Sequence, residues 1–170
     1  GKLFEQMGKF LAEIRELDAA LAVSPNDPGL LADRALMFLR SEDYEMALED
    51  SEEAARLGPW AMRPKLFRAI ALIDLGRSDE CETLAVQKFI RLEALMPEFL
   101  ETISRLDSEI SVERSNAELY VARAWQLNEI NQPALGLQDA ESAARLDPKS
   151  AGAWAECSYA LTKLGRAEEA

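Results

Sequence analysis

Residues 54–59 read AARLGP and residues 143–148 read AARLDP. One six-letter phrase used twice in 170 residues points to a unit of structure built more than once. Aligning on the proline extends the series: LAVSP ends at Pro25, ARLGP at Pro59, EALMP at Pro97 and ARLDP at Pro148. Each ending follows a helical apolar pattern, and proline stops a helix because it has no N–H to donate and its ring crowds the preceding turn. The spacings are 34, 38 and 51, which read as one period of 34 with two insertions of 4 and 17. A fixed period in the thirties is the mark of stacked helical hairpins.

Small residues keep station within the period. Ala54, Ala47 and Ala35 precede Pro59 by the same offsets at which Ala143, Gly136 and Ala124 precede Pro148. Two helices packed at about 8–10 Å need small side chains where their backbones come closest. Leu31, Phe38 and Tyr44 fill the gaps in one copy, Tyr120 and Leu127 in another, and Trp154, Ser158, Leu161 and Gly165 continue the pattern. These residues resemble the tetratricopeptide repeat, most closely over LLADRALMFLRSEDYEMALEDSEEAARLGP and ELYVARAWQLNEINQPALGLQDAESAARLDP. Lys65, at an aromatic position, and Leu92, where alanine is usual, depart from it.

The fold expected is therefore all-α, a solenoid of antiparallel helix hairpins spanning residues 1–170 with one extra helix outside the repeat. A partial repeat covers 1–25, with residues 1–6 ending one helix and 8–24 forming the next. Full repeats cover 26–59, 60–97 and 116–148, the second with a lengthened helix from about 78 to 95, and a partial repeat covers 150–170. Phe99, Ile103, Leu106 and Ile110 recur at helical spacing in a stretch that fits no repeat, which predicts an amphipathic helix over 98–110. That helix is expected to start after Pro97 and to bury its stripe, either in a seam or at the mouth of the groove. Ser115 to Glu118, reading SNAE, has the form of a capping box. Both ends cut through a repeat, so the chain reads as a window on a longer solenoid.

Composition narrows the chemistry. Against 19 basic residues stand 31 acidic ones, a net charge of −12 that repels a phosphate backbone. Apolar runs are too short to span a bilayer. There is no histidine, which removes the usual general base and the usual zinc ligand, and the eight glycines form no phosphate loop. Neither catalysis nor a cofactor nor a metal is expected. The acid-rich run over 41–54 reads as a solvated helix face, with docking of a basic partner as its functional alternative. Cys81 and Cys157 read as reduced, buried thiols. No secretory signal precedes Leu3, but Gly1 is not a natural first residue; targeting segments can lie outside this stretch, and the compartment stays open, with the cytoplasm favoured.

The resemblance implies a function in binding protein or peptide. It implies that residues along the first helix of each hairpin line an inner groove: Leu36, Leu39 and Arg40, then Arg63, Leu66, Ile70 and Ile73, then Trp125 and Asn128 with Glu118, Val121 and Glu129 beside them, then Tyr159 and Lys163. An apolar or amphipathic segment is the expected ligand, with Arg40, Arg63 and Lys163 selecting acidic flanks. Ala32, Leu36 and Phe67 stand where a two-carboxylate clamp needs lysines and asparagines, so that activity is not expected. The resemblance further implies ion pairs between the two helices of a hairpin, Arg34 with Asp50 and Arg123 with Asp139. Arg68 matches the arginine but faces Lys88 at the aspartate's place, so it is either repartnered or available. Self-association, a scaffold segment, or the regulatory arm of a larger protein are the alternative roles.

Overall fold

Caps and prolines decide where the helices begin. Asp27 accepts hydrogen bonds from the Gly29 and Leu30 N–H groups at 2.8 and 3.1 Å, and Pro28 opens the helix behind it. Asp43, Asn116 and Ser150 cap three more helices in the same manner, each satisfying an N–H that the helix itself leaves without a partner. Pro64, Pro97 and Pro133 sit in first turns, where a missing N–H costs nothing.

The computed structural model describes residues 1–81 and 96–170, and every regular element in them is helical. The chain divides into two compact units, Gly1–Glu80 and Cys81–Ala170. The first holds α1 (Lys2–Val23), α2 (Pro28–Arg40), α3 (Tyr44–Leu57) and α4 (Arg63–Asp74), with a 3-10 turn at Ser78–Glu80. In it, consecutive helices pack on one another and α2 also packs on α4. The second unit holds α5 (Pro97–Val112), α6 (Ala117–Glu129), α7 (Pro133–Leu146) and α8 (Ala151–Lys163), with a 3-10 turn at Ala167–Glu169. There too consecutive helices pack, and α6 also touches α8.

The two units repeat each other at a fixed distance of 89 positions, from Arg34 to Arg123 and from Pro59 to Pro148. The bounds of α2 and α3 against those of α6 and α7, the left-handed residues Glu42 and Asn131, and the left-handed Gly76 and Gly165 all follow that offset. So do the bonds that close the turns, Asp43 N–H to Phe38 C=O and Gln132 N–H to Leu127 C=O, then Arg77 to Leu72 and Arg166 to Leu161. Helix α5 therefore corrects the expectation of an extra helix outside any repeat. FLETISRLD on α5 is the counterpart of FLAEIRELD on α1, and Phe99, Ile103, Leu106 and Ile110 are buried.

Three further expectations change. Helix α1 runs unbroken through Gly8, where a break was expected: glycine costs a helix about 1 kcal/mol, less than is needed to interrupt it. The cap of α6 is Asn116 rather than Ser115, because the Asn116 side chain is the one that reaches the Glu118 N–H, at 3.2 Å. Residues 78–80 form a 3-10 turn, and the rest of the lengthened helix expected there lies outside the described residues. Met96 is extended immediately before α5, so no helix runs through Pro97.

Buried charge ties helices together in both units. Arg123 hydrogen-bonds both carboxylate oxygens of Asp139 on α7, at 2.7 and 2.8 Å, and reaches Asp107 on α5 at 2.7 Å. Its side chain is only 2% exposed. Burial works against the charge, but the bonds and charges of Asp139 and Asp107 outweigh it and hold the guanidinium above its ordinary pKa. Arg34 repeats the device with Asp50 on α3 and Asp18 on α1, each at 2.7 Å, in a more open setting at 21% exposed. Both expected pairs are present; the second arm, sixteen residues earlier in each case, was not foreseen. Arg68 is repartnered, its Nε lying 3.2 Å from Glu52. Lys88 lies outside the described residues.

Candidate functional site

Helix α6 supplies the exposed surface that the groove positions were expected to form. Glu118, Ala122, Trp125 and Glu129 follow one another at three- and four-residue steps and are all exposed, Trp125 at 50%. The opposite face of the same helix buries Ala124 and Leu127. Glu118, Val121, Ala122, Trp125 and Gln126 border a cleft of about 320 Å³ whose other walls are Thr102, Arg105 and Leu106 of α5 and Glu156 of α8, and Glu129 lies one turn beyond Trp125 on the same exposed face.

Two hydrogen bonds shape that cleft. The Asn128 amide donates to the Glu156 carboxylate at 2.8 Å and so fixes its position. Arg105 donates to Glu109 at 2.8 Å, one turn along α5. Asn128 is itself 5% exposed, and it fits because residue 136 is glycine: a Cβ there would collide with its Oδ1. On α8, Lys163 lies over the Tyr159 ring at 5.5 Å, both side chains exposed. Cys157, on the buried side of α8, has its thiol pushed above the ordinary range by burial and then by Glu141 and Glu156.

The first unit is different at these positions. Leu36, Leu39, Leu66 and Ile70 are buried, because α2 and α4 pack against each other as well as against α3. They are core here and present no surface to a ligand. Arg40 is exposed, Ile73 is half-buried, and Arg63 is bound to Asp33 at 2.6 Å. Glu156 and Arg105 were missed from sequence, and a place at the groove mouth was only one of two expected for the stripe that holds Leu106. Their signal was the 89-residue offset, which makes α5 a wall of the site rather than an appendage.

The acid-rich run of α3 lines a second cleft, of about 560 Å³, with Glu45, Glu49, Glu52 and Glu53 beside Leu48, Arg56 and Arg77. Here the charge is partly answered: Arg56 pairs with Glu53 and lowers its carboxyl below the ordinary range, and Arg68 pairs with Glu52. Cys81 and Cys157 are both free and buried. Among the described residues no group of three or more cysteine, aspartate or glutamate side chains is arranged to hold a metal ion, and no helix is long and apolar enough to cross a membrane. No protein-family model matches the chain.

Proposed function

We propose that this chain is a non-enzymatic protein-binding module built of tetratricopeptide-like hairpins, in which the cleft along α6 takes an apolar or amphipathic peptide segment. One observation carries the reading. The two units keep the same frame (Arg34 and Arg123, Asp50 and Asp139, Ala35 and Ala124) yet differ at every groove position of that hairpin. Gly29, Ala32, Leu36, Leu39 and Arg40 stand against Glu118, Val121, Trp125, Asn128 and Glu129. A half-exposed tryptophan beside buried leucine, in a concave site, is the kind of anchor that peptide grooves use. The absence of histidine from the sequence is the ground for reading no catalysis into the acidic faces.

The test is titration of the whole chain with an amphipathic peptide, followed by tryptophan fluorescence. A shift that saturates and disappears in Trp125→Ala, while melting is unchanged, is the expected result. A shift that survives in Trp125→Ala moves the binding face elsewhere.

Self-association is a second reading with its own observation. Leu3, Phe4, Met7 and Leu11 form an exposed apolar stripe on the first half of α1. Leu11 is 53% exposed where its counterpart Leu100 is 7% exposed. Sedimentation over a concentration series separates the two: a dimer that dissociates in Phe4→Glu with Leu11→Glu favours self-association through α1.

A further inference from the structure

Along α6 the exposed order is acid, apolar, acid: Glu118, then Ala122 with Trp125, then Glu129. At 1.5 Å per residue the two glutamates are about 16 Å apart along the helix. The neighbouring wall adds a third carboxylate, Glu156, held in place by Asn128. Among the described residues that line the cleft the one cation, Arg105, is bound to Glu109. In unit one the matching positions are Gly29, Leu36 and Arg40, so the pattern is not a by-product of the repeat.

Resting on the groove reading above, we infer that the cleft's ligand is a basic segment: two arginine or lysine side chains flanking an apolar one. An indole face attracts a cation through its quadrupole, and arginine stacks on it best. Carboxylates at both ends of the stripe then take the two charges while the apolar residue between them covers Leu106 and Val121. An extended chain rises about 3.3 Å per residue, so the two bases belong about five positions apart. This reverses the selection of acidic flanks expected from Arg40, Arg63 and Lys163. Arg63 is already bound to Asp33, and Lys163 lies over Tyr159.

The probe is an acetylated, amidated peptide with two arginines five positions apart and leucine and alanine between them. A second peptide has glutamine at both arginine positions. Each is titrated by calorimetry against the whole chain at about 150 mM salt, where the screening length is about 8 Å and diffuse attraction to the −12 chain is weak. The arginine peptide is expected to bind at least tenfold tighter than the glutamine peptide. Trp125→Ala should cost it tenfold or more, and Glu118→Gln with Glu129→Gln should bring it down to the glutamine peptide's affinity. Glu45→Gln with Glu49→Gln, on the other acidic cleft, should change it less than twofold.

Equal affinity for both peptides, each weakened by Trp125→Ala, overturns the basic ligand and leaves the groove reading intact. Binding of the arginine peptide that ignores Trp125→Ala, or that falls equally with the α3 pair, assigns it to net charge and overturns the proposal. If neither peptide binds, the groove reading itself falls, and this inference with it. All substituted side chains are exposed, and melting of each variant within about 2 °C of the parent certifies the fold.

Discussion

At the scale of single residues, the two arginine clamps are one device in two environments, and the environment sets their worth. Removing Arg123 leaves Asp107 and Asp139 buried without the guanidinium that binds them both. Breaking a buried pair in this way costs about 3–5 kcal/mol. Asp18 is 53% exposed, so water takes over when Arg34 is removed, and the loss should be closer to that of an ordinary surface pair on that arm. Denaturant melts of Arg123→Ala and Arg34→Ala are expected to show the first clearly less stable than the second. Equal losses would mean that burial does not decide the matter.

Asn128 and Gly136 form a second residue-scale pair. Their counterparts are Leu39 and Ala47, both buried. Gly136→Ala should gain helix propensity of about 1 kcal/mol but force Asn128 out of its pocket, and overpacking of this kind costs about 1–3 kcal/mol. A net loss is expected. Adding Asn128→Leu recreates the pairing of the first unit and should recover stability, a coupling that a double-mutant cycle by chemical denaturation reads directly.

At the scale of elements, α1 is two helices in one physical sense. From Ile14 onward it buries residues against α2, whereas residues 2–13 carry no buried side chain. A helical stretch held only by its own hydrogen bonds is marginal in water at this length. Hydrogen exchange by mass spectrometry should therefore find amides of residues 5–12 exchanging far faster than those of 14–23. Uniform protection along α1 would show that something covers Leu3, Phe4, Met7 and Leu11, and would favour self-association.

The elements were largely legible in the sequence where a local signal existed. Pro28, Pro64, Pro133, the left-handed Gly76 and Gly165, and the alanines before Pro59 and Pro148 each act within one or two turns, so their pattern can be read along the chain. What escaped were relations between distant residues. The helix at 97–112 looked foreign because its match lies 89 positions away, across a stretch whose length hides the period. Which of the positions expected to line a groove stay open depends on how closely α2 and α4 pack, and no spacing along the chain reports that. Leu36 and Trp125 occupy the same station with opposite fates.

At the scale of the whole molecule, the clamps have a consequence for where the chain can grow. Each guanidinium joins carboxylates sixteen residues before and sixteen after it, Asp18 and Asp50 to Arg34, Asp107 and Asp139 to Arg123. One residue added inside α2 or α6 turns everything beyond it by about 100° and swings the arm away from its target. One added at Glu42 or Asn131 spares the helices but opens a turn closed by two backbone N–H bonds, from Glu42 and Asp43 in one unit and from Asn131 and Gln132 in the other. Among the described residues no arginine arm crosses the turn after Lys149, because α8 carries Cys157 where α4 carries Arg68; the Asn128–Glu156 bond spans it instead. Single alanines inserted after Leu36, after Glu42 and after Lys149 should thus lower the melting temperature in descending order. By this rule the lengths of residues 18–50 and 107–139 are locked by electrostatics, and new sequence is admitted most readily where no arginine clamp measures the distance.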